Sequence, residues 1–220
     1  MADTAALQRL LIWLSPAFPV GGFAWSQGLE TAIGDGRIAA APALRDWLDG
    51  SLAHGGLRTD AILLAHAWRE HHDAAQLQDL ADLALALNAA SERHLETTLT
   101  GDSFATAARA WPSDVYARLP APCPYPVAVG AIAGAQQIGL AETLIGYLTT
   151  AIHTQISVAV RLVPLGQTAG LQLMAGLEPA IAELAAIAAD ASLDDIGAIA
   201  YAADIAQMRH ETIGTRVFRS

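Results

Sequence analysis

Histidine is the residue type in this sequence with the widest chemical use, and seven histidines are present. His66 and Glu70 fall four residues apart in one predicted helix, which also includes His71 and His72. Residues at this spacing lie on one face of a helix and can bind the same metal ion. The charged neighbours are more typical of a solvated helix end, and no HExxH motif occurs. We therefore predict no resident metal site.

Covalent and nucleotide chemistry have little support in the sequence. All twelve basic residues are arginine, so the chain has no lysine for a Schiff base or for a P-loop. No GxSxG motif is present to position a nucleophilic serine. We predict that the protein is not an enzyme, has no catalytic residues and binds no cofactor itself.

Charge and cysteine content exclude further classes of protein. The net charge of -10 and the isoelectric point near 4.9 disfavour binding to nucleic acid or anionic lipid. Cys123 is the one cysteine and lies among prolines, which predicts a reducing, cytoplasmic compartment. The stretch 119–177 carries only Glu142 and Arg161 as formal charges. Its prolines and polar residues favour a buried core helix over a membrane span.

Two segments concentrate glycine, aromatic residues and arginine. The opening segment 14–30 reads LSPAFPVGGFAWSQGLE, and on its residues alone we favour a tight turn whose Phe18, Phe23 and Trp25 fill the core. The closing segment 209–220 reads RHETIGTRVFRS, and arginine beside an aromatic residue is typical of an interface anchor. A frayed terminus folded back on the acidic body explains the tail equally well.

The hydrophobic periodicity is helical wherever it is clear. Apolar residues recur at helical spacing over 44–52 and over 80–94, and no run with strand periodicity competes. Ser192 and Asp195 form a capping-box pair that predicts a helix start, and Pro179 suits the first turn of another helix. With 53% hydrophobic residues and no long linker, the sequence predicts one all-α domain over 1–220, of roughly eight to ten helices. We predict that residues 213–220 form a flexible C-terminal tail that binds a partner.

Three motifs in order resemble the UreF family of urease accessory proteins. They are the opening LSPAFPVGGFAWSQGLE, the run RLVPLGQ at 161–167 and the closing RHET..TRVFRS. The resemblance is weaker over about 55–125, and the closing motif departs from the family pattern at Ile213-Gly214. If an aromatic residue there helps to seat the tail in relatives, this tail is either looser than theirs or seats differently.

The resemblance implies a helical, dimeric maturation factor that is not an enzyme. Such proteins join the accessory protein UreD (also called UreH) and the GTPase UreG in a complex that helps to deliver nickel to apo-urease. Nickel and GTP would be handled by those partners. Direct nickel binding through His66, Glu70 and His71, or through His210, is a separate hypothesis.

The resemblance also implies which residues contact each partner. It further implies that the tail lies near the opening turn, so we predict that these two segments share a surface. Glu30 and Arg161 would lie on or near the face offered to UreG. For Arg161 the alternative is a lone cation satisfied by Glu142 or by helix carbonyls. A second function is a GTPase-activating or GTPase-gating role, in which Arg161 or a tail arginine is supplied to UreG in trans. The residues implied for the UreD contact are Gly21, Gly22, Phe23, Trp25, Arg209, His210, Glu211, Arg216, Phe218, Arg219 and Ser220.

Overall fold

The computed structural model describes residues 4–197 and 199–220, and over these residues it is helical with no strand. This confirms the predicted all-α class. The helices are α1 (Thr4–Trp13), α2 (Leu29–Gly34), α3 (Ala41–His54), α4 (Gly56–Arg69), α5 (Ala74–Ala86), α6 (Ser91–Ala108), α7 (Tyr125–Ala135), α8 (Leu140–Leu162), α9 (Gln167–Asp190) and α10 (Tyr201–His210). Short 3₁₀ turns occupy Gly22–Ala24, Asp114–Ala117 and Leu193–Asp195.

Helix α7 lies at the centre of the fold, and its residues from Pro126 to Gly134 are all buried. It packs against α4 and α6. Gly130 and Gly134 permit the approach of α4, because a Cβ atom at either position would overlap the carbonyl oxygens of Leu64 and Trp68. A helix surrounded by other helices carries apolar residues on every side, which explains the low charge of this region.

The remaining helices complete one continuous hydrophobic core. Helix α8 packs along α9, while α3 and α4 also contact α9. Trp13 at the end of α1 meets the ring of Phe104 from α6 edge to face, with centroids 5.9 Å apart. Segments far apart in sequence therefore share a single core, as a one-domain chain requires.

Helix α9 is the one helix in the described ranges that is long and apolar enough to cross a membrane by length and composition. That is weak support for a membrane span, because core helices of globular folds pass the same test. The apolar stripe of α9, which includes Leu173, Leu177, Ile181 and Leu184, is buried in the core.

Pro179 lies inside α9, so the prediction that it begins a helix is wrong. Proline has no N–H, and the helix therefore gives up the hydrogen bond to the carbonyl of the exposed Ala175, which faces water instead. The helix continues because the stripe on both sides of Pro179, from Leu177 to Ile181, packs into the core.

Two other helix boundaries also differ from those that the sequence predicts. The stretch 80–94 is interrupted after α5, where the side chain of Asn88 donates to the carbonyl of Ala84. The predicted capping box at Ser192 and Asp195 is present, but it caps only a 3₁₀ turn. The turn ends at Asp195, because Ile196 is already extended with ψ of 143°. Gly197 follows with φ of 134°, and α10 begins at Tyr201.

Candidate partner-docking site

The opening turn fills part of the core with Phe18 and Trp25, two of the three aromatic residues predicted to do so. The ring of Phe18 lies 5.4 Å from that of Phe104, and Trp25 is also buried. Phe23 lies in the 3₁₀ turn and is half-buried, while Gly21 before it is exposed and Gly22 is partly covered. The turn therefore has an inner aromatic face fixed by the core and an outer face that includes Gly21.

The C-terminal tail lies directly on this turn. The Arg219 N–H donates to the carbonyl of Ala24 at 2.7 Å, and the Ser26 N–H donates to the carbonyl of Ser220 at 2.7 Å. The hydroxyl of Ser26 donates to the same Ser220 oxygen. Ser26, Phe218 and Ser220 are buried by this pairing. The prediction that the tail and the opening turn share a surface is confirmed.

Glu30, at the start of α2, anchors the tail through its carboxylate. Its carboxylate accepts the N–H of Val217 at 2.8 Å and the N–H of Phe218 at 2.9 Å. The ring Nε2 of His210 lies 3.1 Å from the same carboxylate. Burial by itself raises the pKa of Glu30, but the hydrogen bonds from Val217, His210 and Phe218 together bring that pKa below 4.5. The bound form of the tail therefore prefers a charged Glu30.

A second carboxylate completes the contact between α10, the tail and the body. Glu92, in the first turn of α6, lies 2.7 Å from Nδ1 of the fully buried His210 and also accepts from Arg216. Both ring nitrogens of His210 thus face carboxylates, and both contacts are hydrogen bonds when the ring carries both protons. The sequence offered no signal for Glu92, since its partners lie more than a hundred residues away.

Two arginines of this surface lie on aromatic rings. The guanidinium of Arg161 is 5.9 Å from the ring centroid of Phe218 and 6.0 Å from that of Phe23. The guanidinium of Arg219 is 4.8 Å from the ring centroid of Trp25. Among the residues that the structure describes, no carboxylate lies within ion-pair distance of either arginine. Both side chains are exposed, so each can contact an acidic partner.

The alternative for Arg161, a cation paired with Glu142, is wrong. The two residues lie at opposite ends of α8, and a helix rise of about 1.5 Å per residue places them roughly 28 Å apart. Arg161 stands at the surface end of that helix rather than inside the apolar region.

Two partly solvent-exposed residues at the end of α10 also connect this helix to the rest of the fold. Arg209 forms an ion pair with Asp35, and the carboxylate of Glu211 accepts the N–H of Ser91 at 2.8 Å. Val217 is the most exposed apolar residue of the tail, with 70% of its surface accessible. Eleven residues of the opening turn and the C-terminal end were predicted to contact a partner. Four of them are buried, namely Trp25, His210, Phe218 and Ser220.

The histidines of α4 do not form a ligand group. The helix ends at Arg69, so the prediction that Glu70, His71 and His72 share it with His66 is wrong. His66 Nε2 lies 3.1 Å from the carbonyl of Ala191, and the ring of His71 contacts a carbonyl of its own turn. Within the described ranges, no group of three or more histidine, cysteine, aspartate or glutamate residues could hold a metal ion.

Ser26 and Gln27 were not singled out by the sequence, although both belong to the opening motif. Gln27 has a positive φ of 53°, which is uncommon for a residue other than glycine. Its N–H donates to the Ser220 hydroxyl at 3.3 Å, while its side chain reaches Glu96 in the interior. Gln27 therefore links the docked tail to the core.

The chain is similar to known proteins over nearly its whole length. A family model described as UreF matches residues 38–178. The chain is 49% identical to the urease accessory protein UreF of Agrobacterium fabrum, over 100% of this chain and 98% of the relative. It is 48% identical to that of Rhizobium etli, over 99% and 98%. It is 45% identical to the urease accessory protein UreF 1 of Brucella anthropi, over 99% and 95%.

Proposed function

This chain belongs to the UreF family of urease accessory proteins, and we propose that it acts as a scaffold in nickel insertion, joining UreD (UreH) and the GTPase UreG to apo-urease. Membership of the family implies a role in urease maturation. The finer proposal rests on one observation: the tail and the opening turn form a single supported surface. Because this surface is ordered before a partner binds, the entropic cost of ordering it does not reduce the binding affinity.

The proposal assigns different tasks to buried and exposed residues of this surface. The buried side chain of Phe218 anchors the tail in the body, where Glu30 contacts both Phe218 and His210. Val217 and Arg219 face outward. We propose that UreD binds the outward residues. Glu30 then affects UreD binding by holding the tail in place and does not itself contact UreD.

The remaining parts of the proposal concern the state of the protein in the cell. We propose a cytoplasmic homodimer in which partners hold nickel and GTP. Cys123 fits a reducing compartment, because burial raises the pKa of its thiol to about 12 and leaves it unreactive. The lack of lysine supports assigning the nucleotide to UreG.

Replacing Val217 with serine should weaken the UreD contact while leaving the tail docked. Val217 binds the body through its N–H, which the substitution keeps, and its side chain faces solvent. We expect at least about a tenfold loss of UreD affinity, since burying such a side chain contributes roughly 1.5–3 kcal/mol. The measurement is co-purification and titration with UreD.

Leu171 on α9 supplies the matched control, because 68% of its surface is exposed against 70% for Val217. The Leu171→Ser variant should bind UreD as the unaltered chain does. Equal binding by the Val217→Ser variant would refute the placement of UreD on the tail. Deletion of the residues after Thr212 is a blunter test, since it would also uncover Trp25 and the Glu30 carboxylate.

A second candidate function is an arginine supplied in trans to UreG. It has one observation in its favour: Arg161 is exposed and lacks a carboxylate partner among the described residues. An arginine finger would raise single-turnover GTP hydrolysis by about a thousandfold or more, and Arg161→Ala would abolish that gain. We expect the scaffold to change the rate by less than about tenfold, with Arg161→Ala reducing UreG binding instead.

A further inference from the structure

A cavity of about 320 Å³ lies beneath the opening turn, away from the outer face of the docking surface. Phe18, Phe23 and Trp25 of the turn contribute to its walls, together with Tyr125 of α7 and one side of α8. Most of the lining is apolar. Its floor, however, is formed by charged side chains from α4 and α6, and such a combination is typical of sites for small amphipathic groups.

The floor carries more negative than positive charge. Arg93 lies 2.6 Å from Asp60 and 3.1 Å from Glu96, and these are the charged residues of the floor. The hydroxyl of Tyr147 also donates to Asp60 at 2.8 Å. The single positive charge of Arg93 thus faces the negative charges of two carboxylates. Burial raises the pKa of Glu96 despite the neighbouring Arg93, which indicates that its charge is incompletely balanced.

A chain of amide hydrogen bonds leaves the side-chain carbonyl oxygen of Gln155 without a donor. Gln27 donates from Nε2 to Oε1 of Glu96 at 2.8 Å, and Gln155 donates from Nε2 to Oε1 of Gln27 at 2.9 Å. The carboxylate fixes the direction of the chain, because an ionised carboxylate only accepts.

One oxygen of this floor is left without a partner. Oε1 of Gln155 receives no hydrogen bond, and the residue is only 4% exposed, while the buried Oε2 of Glu96 has Arg93 as its one partner, at 3.1 Å. Buried acceptors without donors are costly, so the floor is suited to a group that brings N–H donors.

We propose that this cavity binds a primary ammonium group carried on a short apolar stem. The ammonium supplies three donors and the missing positive charge, and the stem fits the apolar walls. The aromatic rings of the turn add favourable contacts for a cation. Because the sequence contains no lysine side chain, the ammonium comes from another molecule. It belongs either to a free alkylamine or to a lysine of a partner inserted past the opening turn.

The test is a titration of the full chain with n-butylammonium chloride, followed by calorimetry and by the NMR signals of the cavity residues. We expect saturable binding of one equivalent, at least tenfold tighter than that of 1-butanol, which has the same stem without the charge. Nα-acetyl-lysine amide is the second probe. Tighter binding of n-butylammonium identifies a free amine as the source, and tighter binding of the lysine probe identifies a partner side chain.

Two variants address the floor and the space above it. Gln155→Leu removes the unpaired acceptor, and we expect at least tenfold weaker binding, whereas the exposed Gln172→Leu on α9 should bind normally. Ala151→Met fills the cavity from α8 without altering the floor and should also block binding. Failure of both probes to bind, or equal binding by the Gln155 and Gln172 variants, would overturn the proposal. The titration uses this chain alone, so its failure would leave the proposed scaffold role untouched.

Discussion

Replacement of Arg93 by methionine is expected to lower the free energy of unfolding by about 3–5 kcal/mol. Arg93 is largely buried and forms ion pairs with both Asp60 and Glu96, which lie on different helices. Without it, two carboxylates remain in the core, and at least one must take up a proton or draw in water. Chemical denaturation at neutral pH measures the loss. The loss should become smaller as the pH is lowered, because burial raises the pKa of Glu96 and its protonation removes one of the two charges.

A surface ion pair provides the control for Arg93. Arg45 and Asp49 lie 2.6 Å apart on α3 with both side chains more than a third exposed. Exposed pairs of this kind contribute about 0–1 kcal/mol, so Arg45→Met should have a small effect. If the two methionine variants lost equal stability, the buried cluster would not be an organising element of the core.

Replacement of Glu30 by glutamine is expected to release the C-terminal tail without unfolding the body. The carboxylate accepts two backbone N–H groups and faces His210, whereas an amide offers one acceptor and places a donor against one of these partners. A hydrogen bond to a charged group contributes about 1.5–3 kcal/mol. Amide exchange at Val217 and Phe218 should therefore accelerate by roughly ten- to a hundredfold.

The effect of Glu30 on the tail depends on pH in a defined direction. Because its hydrogen bonds bring the pKa of Glu30 below 4.5 in the folded protein, the charged carboxylate stabilises docking above pH 4.5. This contribution is lost as the pH falls through the lowered value. Tail exchange, corrected for its intrinsic pH dependence, should rise in that acidic range in the unaltered chain and not in Glu30→Gln.

The exposed Glu178 on α9 serves as the matched control for Glu30. The Glu178→Gln variant should keep slow exchange at Val217 and Phe218. UreD binding should fall with Glu30→Gln and stay normal with Glu178→Gln. Slow tail exchange in the Glu30 variant would contradict the role given to this carboxylate.

Local sequence signals were reliable where neighbouring residues decided the structure. The apolar spacing over 44–52 predicted α3, and the turn-forming residues at 55–56 and 163–166 mark its end and the break between α8 and α9. Pro179 misled because its effect on a helix depends on packing before and after it. Likewise the capping box at Ser192 formed, but the extended backbone at Ile196 ended the 3₁₀ turn after three residues.

The amino-acid sequence by itself determined the all-α class and the family, because composition, periodicity and motifs are properties of the chain. The pairing of the two motif-bearing ends was implied by the resemblance to that family. Only the tertiary structure decided that Glu30 faces the tail, that Glu92 supports His210 and that Arg161 lies on Phe218. It also decided that Arg93, Glu96 and Gln155 meet beneath the opening turn. These contacts join residues up to 188 positions apart, and their geometry follows from how whole helices pack, which no local pattern records.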